Sequence, residues 1–293
     1  MKALAIIFTC LFFASVCGFA ITIAATGFDM QEAWDNWDAE WDNMPYFGFR
    51  IPGKIYTSEL NKSFSESYSN IDIGIIAAQT EIKISPDNIT RVDYTNNVPN
   101  VEFTAEIRNN SLVLKERQIG WGGVNASGNR KGTLIVEIPE KLYNKISLKA
   151  VSGKISGTVL GTKSLTVSIT SGSVNLQCAN VEDYDFNAVS GDINISGLSG
   201  HGKVNLTSGK VNLYFSQWNG SLDASLVSGN VTVTVPDGSG ADLSFSRVSG
   251  SLSYSMNGDS GVMNKSGFAS VGGYNRQRVS VDLISGSADI KTR

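Results

Sequence analysis

The residues able to do chemistry are few and scattered. Asp183 and Asp185 alternate along one stretch, Asp192 follows just beyond, and Asp223 comes later. A glycan-cleaving site needs at least two such carboxylates converging on one outer face, as acid and base or as metal holders. The single histidine, His201, sits in Gly200-His-Gly202 and has no second histidine with which to build a metal site. It reads as a solvent-exposed turn residue. Cys178 occupies an apolar position in an alternating stretch, so it reads as a small core hydrophobe rather than a reactive thiol. Gly120-Trp-Gly-Gly-Val-Asn-Ala-Ser-Gly128 is glycine-rich but lacks the GK[ST] ending of a phosphate loop. A mobile loop on the rod's side is expected there, with a contact loop anchored by Trp121 as the alternative. Asp35, Asp38 and Asp42 do not have EF-hand spacing, and no glycine makes the required turn. Asn-x-Ser/Thr matches such as Asn88-Ile-Thr90 and Asn230-Val-Thr232 follow from a Ser-, Thr- and Asn-rich composition. No catalytic, cofactor-binding or metal-binding residue is assigned, and no cofactor is implied.

What would position such residues is a repeat. A Ser-Gly phrase flanked by apolar or β-branched residues recurs at Ser152, Ser171, Ser190, Ser208, Ser228 and Ser249, spaced 18 to 21 residues apart. Ser285-Gly286 closes the series after a gap of 36, within which Ser266-Gly267 reads as a worn copy. Around Ser171-Gly172, Leu165, Val167, Ile169, Val174, Leu176 and Cys178 alternate with polar neighbours. Period two with β-branched residues argues for strands with one buried face, and the glycine serves a sharp bend. One repeat cannot bury its apolar face alone, whereas stacked repeats build a continuous core. The expected fold is all-β, a parallel β-solenoid of about eight coils and on the order of 40 Å. Antiparallel hairpins are the rival reading, since Ser-Gly also suits a two-residue turn. The steady spacing favours the solenoid. Short alternating runs upstream, at 71–75, 81–84, 91–94, 101–103, 111–114, 133–138 and 145–148, predict further strands, with no helix after residue 45.

The chain has 293 residues, 17% charged, with a formal net charge of −3. That excludes the polarity of a disordered chain and the basicity of a nucleic-acid binder. Residues 1–28 are expected to form a transmembrane signal anchor, because Ala3 to Phe28 carries no charge. As a helix it would reach about 39 Å, enough for a hydrocarbon core of about 30 Å. Gly18-Phe-Ala20 leaves a cleaved signal peptide as the alternative. A lipoprotein signal at Cys17 is disfavoured by the bulky Val16 before it. With Lys2 inside, the chain is expected to be single-pass, with residues 3–28 in the cell membrane and its bulk extracytoplasmic. Residues 29–45 place Met30, Trp34, Trp37, Trp41 and Met44 on one face of an acidic amphipathic helix. That helix either caps the open solenoid end or lies on the membrane surface. Residues 46–62 read as a linker and 63–293 as the solenoid domain.

Ile71-Asp-Ile73, Asn110-Ser-Leu-Val-Leu-Lys115 and Gly132-Thr-Leu-Ile-Val-Glu-Ile-Pro139 lead into the repeated Ser-Gly strands. Over about residues 60–293 this pattern resembles the bacterial "putative adhesin" family of β-solenoid domains of unknown function. The resemblance implies a right-handed β-solenoid tethered to the membrane, displayed on the cell surface or associated with envelope stress. It implies no catalytic motif. Two functions are therefore set against each other: a non-enzymatic surface rod contacting envelope polymers, glycans or surface proteins, and a carbohydrate-active enzyme on a β-helix. Clustering of Asp183, Asp185 and Asp192 in a groove would favour the enzyme. Specificity is expected where the repeat breaks, at 120–128 and 253–284.

Overall fold

The computed structural model describes residues 58–98, 101–119 and 132–293. The expected transmembrane anchor, the amphipathic helix and the 120–128 loop lie outside the described residues. Among those described, every regular element is a strand, and no helix is long and apolar enough to cross a membrane. The first strands are β1 (Ser58–Phe64), β2 (Asn70–Ile75), β3 (Ala78–Ile84), β4 (Thr90–Asn96), β5 (Val101–Arg108) and β6 (Ser111–Gln118). Next come β7 (Gly132–Ile138), β8 (Leu142–Ala150), β9 (Lys154–Ile169), β10 (Ser173–Ala188), β11 (Asp192–Leu206), β12 (Lys210–Phe215) and β13 (Leu222–Leu226). The last are β14 (Asn230–Val235), β15 (Ser239–Arg247), β16 (Ser251–Met256), β17 (Asp259–Met263), β18 (Gly267–Gly272), β19 (Asn275–Leu283) and β20 (Ser287–Thr292). β1 begins inside the stretch read as linker.

The strands form two faces over one apolar core. The face before each Ser-Gly turn runs β5-β6-β2-β8-β9-β10-β11-β13-β19-β15-β18. The face after each turn runs β1-β4-β7-β3-β9-β10-β11-β12-β14-β20-β16-β17. At the strand spacing of about 4.8 Å, that second face is roughly 50 Å long. β9, β10 and β11 cross from one face to the other as single long strands. Gly197 makes the bend in β11 at φ +87°, where a Cβ would fall 1.7 Å from the Cys178 carbonyl oxygen. Only glycine fits there.

The middle of the molecule is the expected parallel solenoid, but its ends are not. The expected order, with each Ser-Gly phrase stacked on the one before it in the chain, fails after Ser228-Gly229. Its neighbour in space is the final phrase, Ser285-Gly286, and Ser249-Gly250 stacks beyond that. The β19–β20 coil is thus inserted between the β13–β14 coil and the β15–β16 coil. The first coil, β2–β3, is likewise held between β6–β7 and β8–β9. Ser266-Gly267 is no worn turn: it opens β18, and Ser266 Oγ accepts the Arg247 N–H at 3.0 Å. Antiparallel strands, the rival reading, form the outermost layers, with β1, β4 and β5 at one end and β17 and β18 at the other. Two hairpin turns use residues suited to positive φ, Asn109-Asn110 (50° and 60°) and Asn257-Gly258 (47° and 91°).

The stacked turns have a direction, and this sets what each end of the column needs. Ser171 N–H donates to the Val151 carbonyl at 2.8 Å, Ser190 to Thr170 at 2.8 Å and Ser208 to Val189 at 2.7 Å. Every turn therefore gives N–H groups toward one end and carbonyls toward the other, which leaves orphans of one kind at each end. At the first end the buried Glu116 side chain takes the orphan N–H groups. Its Oε2 accepts from Ile76, Ala77 and Ala78 at 2.6, 2.9 and 3.2 Å, while Tyr94 donates its hydroxyl to Oε1 at 2.8 Å. Burial and the adjacent Glu116 charge raise the Tyr94 phenol well above its ordinary range. At the opposite end the Arg247 guanidinium donates to the orphan carbonyl of Gly250. An anion meets the N–H end and a cation the carbonyl end.

Candidate functional site

The acids singled out from sequence do not converge. Asp183 and Asp185 lie exposed on β10, beside His201 and Lys203 of β11. Asp223 of β13 is also opposite Lys203, so a lysine strand separates it from Asp185. Asp192 lies across the Ser-Gly turn on the other face, aligned with Ser173 and Lys210. The groove that would bring Asp183, Asp185 and Asp192 together is not formed. Among the described residues no group of three or more His, Cys, Asp or Glu side chains is placed to hold a metal ion. Asp282 is raised above the ordinary carboxylate range, first by burial and then by the Asp223 charge.

The remaining candidates are structural. His201 is exposed, and its Nδ1 accepts the Ser221 N–H at 3.0 Å, linking two coils. Cys178 packs against the core, and burial pushes its thiol up to about 12. A thiol so rarely ionised is a poor nucleophile. Outward rows in the middle of the rod are mostly polar, with Tyr214 of β12 an exposed aromatic among them. Asn212 donates to Asn194 at 2.5 Å and Asn205 to Asn187 at 2.9 Å, so neighbouring rungs satisfy one another.

The region where the repeat breaks looks different. β18 lies antiparallel on β15 and turns Phe268 outward, opposite Ser244. Alternation explains its direction: Ala269 and Val271 face the core, so Phe268 and Ser270 face solvent. Phe268 is 86% exposed, and Tyr274, in the turn into β19, is fully exposed. Beside Phe268 is a shallow cleft of about 390 Å³, lined by Asp242, Leu243, Ser244, Phe268, Ala269, Ser270 and Arg278. Ser270 Oγ donates to Asp242 Oδ1 at 2.7 Å. The Arg278 guanidinium has no ion pair or side-chain hydrogen bond among the described residues. Sequence reasoning placed specificity in 253–284 but did not single out Phe268, Arg278 or Asp242. The available signal was Phe268 on an expected polar strand face, visible only once its register was known.

Solved structures that match the chain include a protein from Clostridium sporogenes named a "putative cell adhesion protein" (12% identity, TM-score 0.40, covering 81% of this chain and 100% of that one). A "putative adhesin" from Bacteroides fragilis matches at 12% identity and TM-score 0.40, covering 80% of this chain and 98% of its own. One from Parabacteroides distasonis matches at 13% identity and TM-score 0.39, covering 80% and 97%. No curated protein matches the chain. The Toastrack DUF4097 domain matches twice, over residues 68–201 and 162–291, and together these overlapping matches span the two faces, their turns and both inserted coils: the chain belongs to the Toastrack DUF4097 family.

Proposed function

We propose that the protein is a non-enzymatic, membrane-tethered rod whose far end makes adhesin-like contacts outside the cytoplasm. The observation that carries this reading is the placement of exposed aromatic surface. Phe268 and Tyr274 lie at the β17–β18 end, whereas β1, which follows the apolar N-terminal segment in sequence, lies at the opposite end. An anchor at residues 3–28 would tether the β1 end and leave the aromatic end free. The mostly polar walls between suit a spacer. A part in envelope stress would use the same exposed end to detect or cover an envelope component.

The test is a binding screen of the full chain against wall polymers, glycans and surface proteins, run beside a screen for glycan cleavage. Binding without cleavage is expected. Glycan turnover abolished by Asp185→Asn would overturn the reading in favour of a carbohydrate-active enzyme, and so would a chain that binds none of the three classes.

A further inference from the structure

We propose that the cleft beside Phe268 is a binding site for a carboxylate-bearing sugar, such as a uronic acid unit of an acidic glycan. This rests on the surface-binding reading above and names its ligand class. The cleft has one exposed ring, Phe268, over a floor of Leu243 and Ala269, with a polar rim of the Ser244 and Ser270 hydroxyls, the Asp242 carboxylate and the Arg278 guanidinium, which is unpaired among the described residues. Its volume of about 390 Å³ is at the small end of ligand sites. A protein partner would call for a broader apolar patch with several buried anchors. One ring suits the apolar face of one pyranose, with the hydroxyl edge of the sugar meeting polar groups around it.

Charge selects the acidic sugar. Ser270 engages one oxygen of Asp242 and leaves the other to accept from a sugar hydroxyl. Arg278 lies on β19 next to Asp242 in register, yet the two are not ion-paired. Arg276, two residues earlier on the same strand, is exposed and likewise without an ion pair among the described residues. A planar guanidinium with free donors matches a carboxylate through two parallel hydrogen bonds, which no neutral sugar can reproduce. Phe268 would thus supply stacking common to all pyranoses, and Arg278 the preference for acid.

The experiment uses the full chain, with galacturonate and glucuronate oligosaccharides as acidic probes and the matching galactose and glucose oligosaccharides as neutral ones, in a calorimetric titration. The acidic probes are expected to bind about tenfold or more tightly than the neutral ones. Arg278→Ala should remove that preference, bringing acidic binding down to the level of the neutral probes, while Phe268→Ala should weaken both by about tenfold. Unchanged thermal melting of both variants excludes unfolding as the cause. Equal affinity for acidic and neutral probes, or acidic binding insensitive to both substitutions, overturns the proposal. So does self-association that Phe268→Ala abolishes, because the ring would then be covered by a second copy. Binding to wall polymers or proteins with no response to either probe set would sink this site while leaving the surface-binding reading standing.

Discussion

The two ends of the rod solve the same problem with opposite investment. At the β4–β5 end the orphan N–H groups of the turn column are sealed inside by Glu116, which is 1% exposed and held by four hydrogen bonds. Tyr94 and Phe103 stack beneath it at 4.0 Å between centroids. At the β17–β18 end the orphan carbonyl meets a half-buried Arg247, and the covering strands expose Phe268, Val262 and the Tyr274 turn. A carboxylate can gather several converging N–H groups in one buried place, whereas an arginine can reach a carbonyl and keep its charge near water. One end is thus closed by a buried carboxylate, whereas the other leaves apolar side chains exposed to solvent.

The comparison can be broken at its strongest point first. Glu116→Leu should destabilise the fold by about 3–5 kcal/mol, because three N–H groups and the Tyr94 hydroxyl lose their acceptor in a dry site. Urea unfolding of the full chain measures it, and a loss below about 1 kcal/mol would show that the first end is not sealed as described. The middle of the column supplies a reference. A Cβ at Gly191 would fall 2.4 Å from the Gly172 carbonyl oxygen and 2.5 Å from Ile169 Cδ1. Gly191→Val should therefore cost about 1–3 kcal/mol by overpacking; its φ is not in the left-handed region, so crowding is the cause. An unchanged melting temperature would mean that the stacked turns slide apart freely. The smallest effect is expected at the open end. Arg247→Ala removes one charged donor from a partly solvated carbonyl and should cost about 1 kcal/mol. A cost equal to that of Glu116→Leu would erase the asymmetry.

Much of this was legible in the sequence. The alternation of Leu165, Val167 and Ile169 with polar neighbours marked a half-buried strand, and all three are buried. The Ser-Gly phrases marked the turns, because each needs a small residue where one coil crowds the next. Other signals were present but were outweighed by the repeat. Asn257-Gly258 is a strong hairpin signal, and it marks where β16 turns back antiparallel into β17 before β19–β20 rejoin the column. Glu116, following Leu112 and Leu114 on one side of a strand, was an acid on an apolar face whose partner no local pattern could name. Phe268 and Arg278 were ordinary residues in a glycine-rich stretch until β18 was laid on β15 and β19 beside it.

Taken alone, the sequence determined which residues face inward, where the chain turns and that many short strands share one core. These are properties of neighbours along the chain: period-two alternation and the need for glycine at crowded bends act within a few residues. Only the tertiary structure decided the order of the coils. Every coil edge offers the same ladder of N–H and carbonyl groups, so hydrogen bonding by itself does not distinguish the next coil in the chain from the last one. Insertion of β19–β20 between β14 and β16, and of β2–β3 between β7 and β9, chose the partners. That choice brought Arg278 to the same cleft as Phe268.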